Sequence, residues 1–192
     1  MGKYVTKPLT DQQFKLLVDT IRNGYIDMDG KKHRPNEQMA TILVLQGNLG
    51  CRIGDIVNLR TDNIEWDGEA WRLNLSEQKT HKKRYFVVPA AVKGYIDSYM
   101  SKNNITSGRL FKCTTHNVWY HLEAATKYLE LHDVSSHSFR KAATIRVYND
   151  SGKDIALTTS FLQHSTTQTT LRYLERSSKQ MDEVLSKSVA LF

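Results

Sequence analysis

Arg52, Lys79, His137, Arg140, His164 and Tyr173 are the residues of this 192-residue chain whose types and order could do chemistry. Two guanidinium groups, an ammonium and two imidazoles are donors suited to a phosphate, and a phenol can attack phosphorus once it loses its proton. The densest signals are His137-Ser-Phe-Arg140 and the run His164-Ser-Thr-Thr-Gln-Thr-Thr-Leu-Arg-Tyr173. His137 and Arg140, three apart, share one face of a helix. Arg52, in Gly50-Cys-Arg-Ile-Gly-Asp55, sits at a helix start and can aim its fork at an anion. Taken singly each is ordinary: an arginine beside Asp55 forms a structural ion pair, and a lysine in a charged turn is solvated. Their order along the chain gives them weight together.

Such groups need elements to hold them. Thr10 caps a helix over 11–22 whose Phe14, Leu17, Val18 and Ile21 share a face. A polar loop over 23–36 follows. A buried helix over 37–46 is broken by Gly47 and Gly50, and a short helix over 53–59 carries Asp55. The period then changes to two. Residues 63–66 and 70–75, joined at Asp67-Gly68, read as a hairpin, and 84–88 as a third strand ending at Pro89. Lys79 lies in the basic loop 76–83 between strands two and three. Helices follow over 90–103, 115–131, 138–150, 154–162, 167–174 and 178–188, with Ser136 as a cap before His137. The fold expected is mostly α with a small three-stranded antiparallel sheet, an α+β class, as one domain over 1–192.

Net charge is +7 with a pI near 9.4, a balance that favours polyanions such as nucleic acid. Cys51 and Cys113 give neither a disulfide framework nor a metal spacing, and His116 and His121 lack the i, i+4 relation of a zinc helix. No metal is expected. No apolar run reaches membrane length and the first residues carry no apolar core, so the expected location is the cytoplasm, with the nucleoid.

Together these pieces resemble the tyrosine recombinases, the phage integrase family. The matching segments are Gly50-Cys-Arg52-Ile-Gly-Asp55 with Asn58-Leu-Arg60, Gln78-Lys79-Thr before a strand ending Val-Val-Pro89, His137-Ser-Phe-Arg140, and Leu162-Gln-His164 through Tyr173. The family often has Glu at the position of Asp55 and Gly at that of Gln163. Typical members carry an upstream helical domain that closes around DNA. It is expected to be absent here, as in short stand-alone recombinases, with a fragment of a longer integrase as the alternative.

The resemblance implies a site-specific recombinase or integrase of a mobile element, acting on double-stranded DNA through a 3′-phosphotyrosine, with no cofactor. It makes Tyr173 the nucleophile, Arg52 and Arg140 the phosphate clamp, His137 the general base, His164 a phosphate donor and Lys79 the general acid. Asp55 would orient Arg52 or a histidine. Arg60, Lys82, Lys83, Arg84, Lys141 and Arg172 are candidate DNA contacts. Met181, Val184, Leu185, Ser188 and Val189 form an apolar stripe on the last helix, which either packs on its own domain or docks on a neighbouring protomer on DNA. The alternatives are a DNA-binding regulator without turnover and a type IB topoisomerase-like relaxase.

Overall fold

The computed structural model describes residues 6–171 together with Tyr173 and Leu174. Arg172 and the helix expected over 178–188, with its apolar stripe, lie outside the described residues.

The first helix, α1 (Asp11–Asn23), begins in a reciprocal cap: Thr10 Oγ1 accepts from Gln13 N at 3.2 Å and Gln13 Oε1 accepts from Thr10 N at 3.0 Å. It buries Leu17, Val18 and Ile21. The expected loop after it contains a small hairpin, β1 (Tyr25–Ile26) with β2 (Lys32–His33), in which Tyr25 pairs with His33 and their rings stack at 4.4 Å. Two-residue strands are too short to show a period.

The central helix, α2 (Glu37–Leu49), is buried over most of its length, including Ile42, Leu43, Leu45 and Leu49. It runs through Gly47 rather than breaking there. A Cβ at 47 would collide with the Phe14 ring, so this glycine serves packing. Gly50 ends the helix, with φ of 60° and its N–H on Gln46 O. Helix α3 (Ile53–Val57) starts three residues later with Arg52 as its extended N-cap.

A turn of 3₁₀ helix leads to the sheet β3 (Ile64–Trp66), β4 (Trp71–Ser76) and β5 (Lys83–Val87), antiparallel throughout in the order β3-β4-β5. Then come α4 (Ala90–Lys102), α5 (Thr115–Tyr128), α6 (Ser136–Asp150), α7 (Ile155–Leu162) and α8 (Thr167–Leu171). The cap of α6 is Ser135, not Ser136: its Oγ accepts from His137 N at 3.2 Å. Phe139 of α6 meets Phe14 of α1 edge-on at 5.1 Å, which closes the core around α2. The molecule is mostly helical with one three-stranded antiparallel sheet at its side.

Candidate active site

The C-terminal ends of α2 and α7 present carbonyls that no helical N–H can reach. Two buried arginines bridge them. Arg140 of α6 donates from Nη1 to Gly50 O at 2.6 Å and from Nη2 to Leu162 O at 2.8 Å. Arg84 of β5 donates from Nη2 to Leu49 O at 3.4 Å and Phe161 O at 2.7 Å. The guanidinium groups thus bind adjacent residues on each helix end, where the helix dipoles favour positive charge. Gly50 sits where a Cβ would strike the Phe161 ring, so glycine lets the two ends approach. Burial and the neighbouring Arg84 push the Arg140 pKa below its usual value, and an arginine so shifted stays protonated.

Arg84 was expected to touch DNA; instead it is fully buried. It follows the phase of its strand: residues 84, 86 and 88 alternate inward on β5 and its continuation, and Val88 is buried as well. Its charge is met by Glu77, whose Oε1 lies 3.0 Å from Arg84 Nη1. Glu77 is also fully buried, and its Oε2 accepts from Arg52 Nη1 and from Thr80 Oγ1. Arg52 therefore pairs with Glu77 rather than with Asp55. Asp55 is buried and accepts from Gln78 N at 2.9 Å, anchoring the residue before Lys79. That replaces the expected contact with Arg52 or a histidine.

Lys79 is exposed in the turn between β4 and β5, which closes through Glu77 N to Lys82 O at 3.0 Å. A second tether comes from Gln163, the left-handed cap of α7 with φ of 53°. Its Nε2 donates to Lys83 O, and Lys82 Nζ reaches its carbonyl at 3.4 Å. His164 is thereby fixed next to the Lys79 turn.

His164 Nδ1 lies 3.0 Å from Thr170 Oγ1, which lies 3.0 Å from Thr159 Oγ1. Its ring meets the Tyr173 ring edge-on, centroids 5.1 Å apart. Burial, then Arg140 and Arg52, lower its pKa to about 4. His137 is solvent-accessible at the start of α6, yet enough protein surrounds it for desolvation to lower its pKa, with Arg140, Arg52, Lys141 and Lys79 adding to the effect. Lys141 Nζ sits 5.6 Å above the Tyr173 ring and donates to Thr6 O at 2.6 Å. Tyr173 is near enough to Arg140 to counter in part the lowering of that guanidinium's pKa.

The remaining DNA candidates divide by exposure. Lys82 on the turn and Lys83 at the start of β5 are exposed, and Arg60 is exposed with Asp62 on its Nε at 3.1 Å. Arg172 lies outside the described residues. Reading the six groups alone misses Glu77, Gln163 and Thr170. The signal for Glu77 is its phase: Leu73 and Leu75 point inward on β4, so a carboxylate at 77 continues the buried register and needs cationic partners. Among the described residues no group of three or more His, Cys, Asp or Glu is arranged to hold a metal ion, and no helix is long and apolar enough to cross a membrane.

The chain that carries these groups on a small α+β frame has relatives. The model of the phage integrase family matches residues 7–180, and the chain belongs to that family. The tyrosine recombinase XerC of Caldanaerobacter subterraneus subsp. tengcongensis is 24% identical over 192 residues, covering 94% of this chain and 50% of that protein. The chain thus spans about half the length of the curated relative it matches. Among solved structures, XerA recombinase superposes with a TM-score of 0.72 at 16% identity over all of this chain and 67% of its own. XerH site-specific recombinase bound to palindromic difH substrate, in a post-cleavage complex, gives 0.69 at 13% over 95% and 53%. The catalytic domain of bacteriophage HP1 integrase gives 0.62 at 15% over 95% of each chain.

Proposed function

We propose that this chain is the catalytic domain of a tyrosine-type site-specific recombinase, which cleaves and rejoins double-stranded DNA through a 3′-phosphotyrosine at Tyr173. The observation that carries the reading is the meeting of Tyr173 with His164 at 5.1 Å, within the fields of Arg140 and Arg52. The family supports the same chemistry, and the difH complex of XerH supports DNA as the partner.

The tyrosine oxygen attacks phosphorus and the bond to the 5′-oxygen breaks. The phenolic proton passes to His137, which its depressed pKa keeps neutral and able to accept at neutral pH. Arg52 and Arg140 offset charge gathering on the non-bridging oxygens; losing one such donor set costs roughly a hundredfold or more. Arg140 spends one N–H of each Nη on a carbonyl and keeps three donors for phosphate, among them Nε, which has no partner among the described residues. His164 donates from Nε2 while Thr170 holds Nδ1. Lys79 protonates the departing 5′-oxygen. Attack by a 5′-hydroxyl on the phosphotyrosine reverses each step, so strand energy is kept in the covalent link without ATP or metal. The domain acts on DNA in the cytoplasm, and several protomers associate on one site.

A DNA duplex nicked beside the cleavage point tests this, because the short 5′ fragment diffuses away and traps the adduct. The wild-type chain is expected to form a covalent protein–DNA band and Tyr173→Phe none. DNA retardation without an adduct on either strand would overturn the reading and leave a DNA-binding protein without turnover.

A further inference from the structure

Two of the charged groups around the site are linked by one carboxylate. Glu77 is fully buried, accepts from Arg84 at 3.0 Å and from Thr80 at 2.5 Å, and pairs with Arg52, which stays partly open to solvent at 22%. Arg84 in turn is fixed to Leu49 O and Phe161 O, the ends of α2 and α7, and those ends also hold Arg140 through Gly50 O and Leu162 O. A continuous chain of contacts therefore runs from Arg140 through the two helix ends and Arg84 to Glu77 and Arg52.

Every charged side chain in that chain is buried except the last. Only Nη1 of Arg52 is engaged by Glu77, and Nε and Nη2 make no hydrogen bond among the described residues. A guanidinium gripped on one corner keeps its other donors in a fixed plane, which is what a bidentate phosphate contact requires. Burial opposes ionisation of Glu77, but the hydrogen bonds from Thr80, Arg84 and Arg52 outweigh it and hold its pKa below the usual carboxylate value.

We propose that Glu77 is a positioning residue that sets the direction and reach of Arg52 toward the scissile phosphate, with Arg84 as the strut that ties Glu77 to the same helix ends that hold Arg140. The inference rests on the recombinase reading for its kinetic consequence and on the contacts alone for its geometry. Glu77 touches no substrate. It keeps the two guanidiniums at a fixed separation, so that a phosphate meets both at once.

The test combines an epistasis measurement with a direct view of Arg52. At saturating nicked duplex, Glu77→Gln keeps the size of the side chain but removes its charge and turns one of its two oxygens into an N–H donor, so it cannot accept from Arg52 and Arg84 at once. It is expected to slow single-turnover covalent capture about 10- to 100-fold, with DNA affinity within about threefold of wild type. Placed on Arg52→Ala, the same change is expected to cost less than about threefold, because its route of action is gone. An equal loss in both backgrounds would make Glu77 merely structural and overturn the proposal. Glu77→Asp keeps the charge beside Arg84 but withdraws it from Arg52, so capture is expected to fall while the melting temperature drops less than in Glu77→Gln. Capture that tracks melting temperature across the two variants would also overturn it.

The guanidinium nitrogens of Arg52, followed by NMR in isotopically labelled protein, separate this from the parent reading. Wild type is expected to show hindered rotation at Arg52 and Glu77→Gln free rotation, with the amide spectrum of the core unchanged. An Arg52 signal unaltered by Glu77→Gln would sink the proposal whatever the activity. A wild type that traps no adduct yet shows the NMR change would sink the recombinase reading and leave the positioning geometry standing.

Discussion

At the scale of single residues, the two histidines carry the chemistry that pH can address. His164 is drawn down to about 4 by burial and then by Arg140 and Arg52, and His137 is lowered by burial and four cationic neighbours. A histidine whose folded pKa lies below the unfolded value of about 6.5 is protonated more readily in the unfolded chain. Stability is therefore complete above pH 6.5, declines as pH falls from there toward about 4, and levels off for this group below that. The carboxylates lowered by ion pairs, such as Asp19 and Asp133, act in a more acidic window and in the same direction. Thermal melting between pH 4.5 and 7.5 is expected to show a rising melting temperature in wild type and a shallower rise in His164→Gln. A phosphate reverses the balance, since it favours the imidazolium. DNA binding is thus expected to take up protons, and wild-type affinity to increase as pH falls from 7 to 5.5, by more than that of His164→Gln. Parallel pH curves for the two proteins, in melting and in binding, would count against the placement of His164 among the guanidiniums.

At the scale of elements, the site is made where a hairpin meets two helix ends. Gln163 is the latch on the α7 side: it holds a left-handed backbone that favours glycine, and its amide reaches Lys83 O. Gln163→Gly relieves roughly 1 kcal/mol of backbone strain and adds a comparable unfolded-state entropy, so the melting temperature is expected to move by only about 2 °C. The hairpin loses its tether, however, and with it the placement of Lys79. Capture is expected to fall about tenfold on an ordinary duplex and to recover on one whose leaving 5′-oxygen is replaced by sulfur. A thiolate leaves without protonation, its conjugate acid having a pKa near 8.5. Loss of rate on both substrates would place Gln163 elsewhere in the mechanism. Elements with long periods were legible in the sequence: the α1 face of Leu17, Val18 and Ile21, the four helices from α4 to α7, and the three strands stand within a few residues of where patterning puts them. The motif segments were legible because their order and spacing resemble those of one family, whose model matches residues 7–180. What escaped depends on partners distant in sequence. Gly47 reads as a breaker until Phe14 is seen to fill its place. Arg84 reads as one more cation in a basic run until β5 is given its phase and Glu77 its burial.

At the scale of the whole molecule, the +7 charge is a field that any polyanion meets before it meets the site. Which cations release counterions depends on where the fold puts them, and the salt dependence of binding reports it. Lys82 on the turn and Lys83 at the start of β5 are exposed beside the site, whereas Arg84, adjacent in sequence, is sealed against Glu77. Each phosphate contact contributes about 0.9 to the slope of log K against log salt. The double change Lys82→Ala with Lys83→Ala is expected to reduce that slope by about 2 and to weaken binding on specific and random duplex alike. Removing Arg84 together with its partner, as Glu77→Gln with Arg84→Met, avoids stranding a buried charge. That variant is expected to leave the slope within about 0.3 of wild type while slowing capture. A fall of about 1 would mean that Arg84 leaves its niche and reaches DNA, so the buried ion pair would describe only the unbound protein. An unchanged slope in the lysine variant would move the DNA path away from the Lys79 turn, and with it the general acid assigned to that turn. The two slopes together locate the duplex relative to the hairpin, because they compare three consecutive cations that differ in exposure and not in charge.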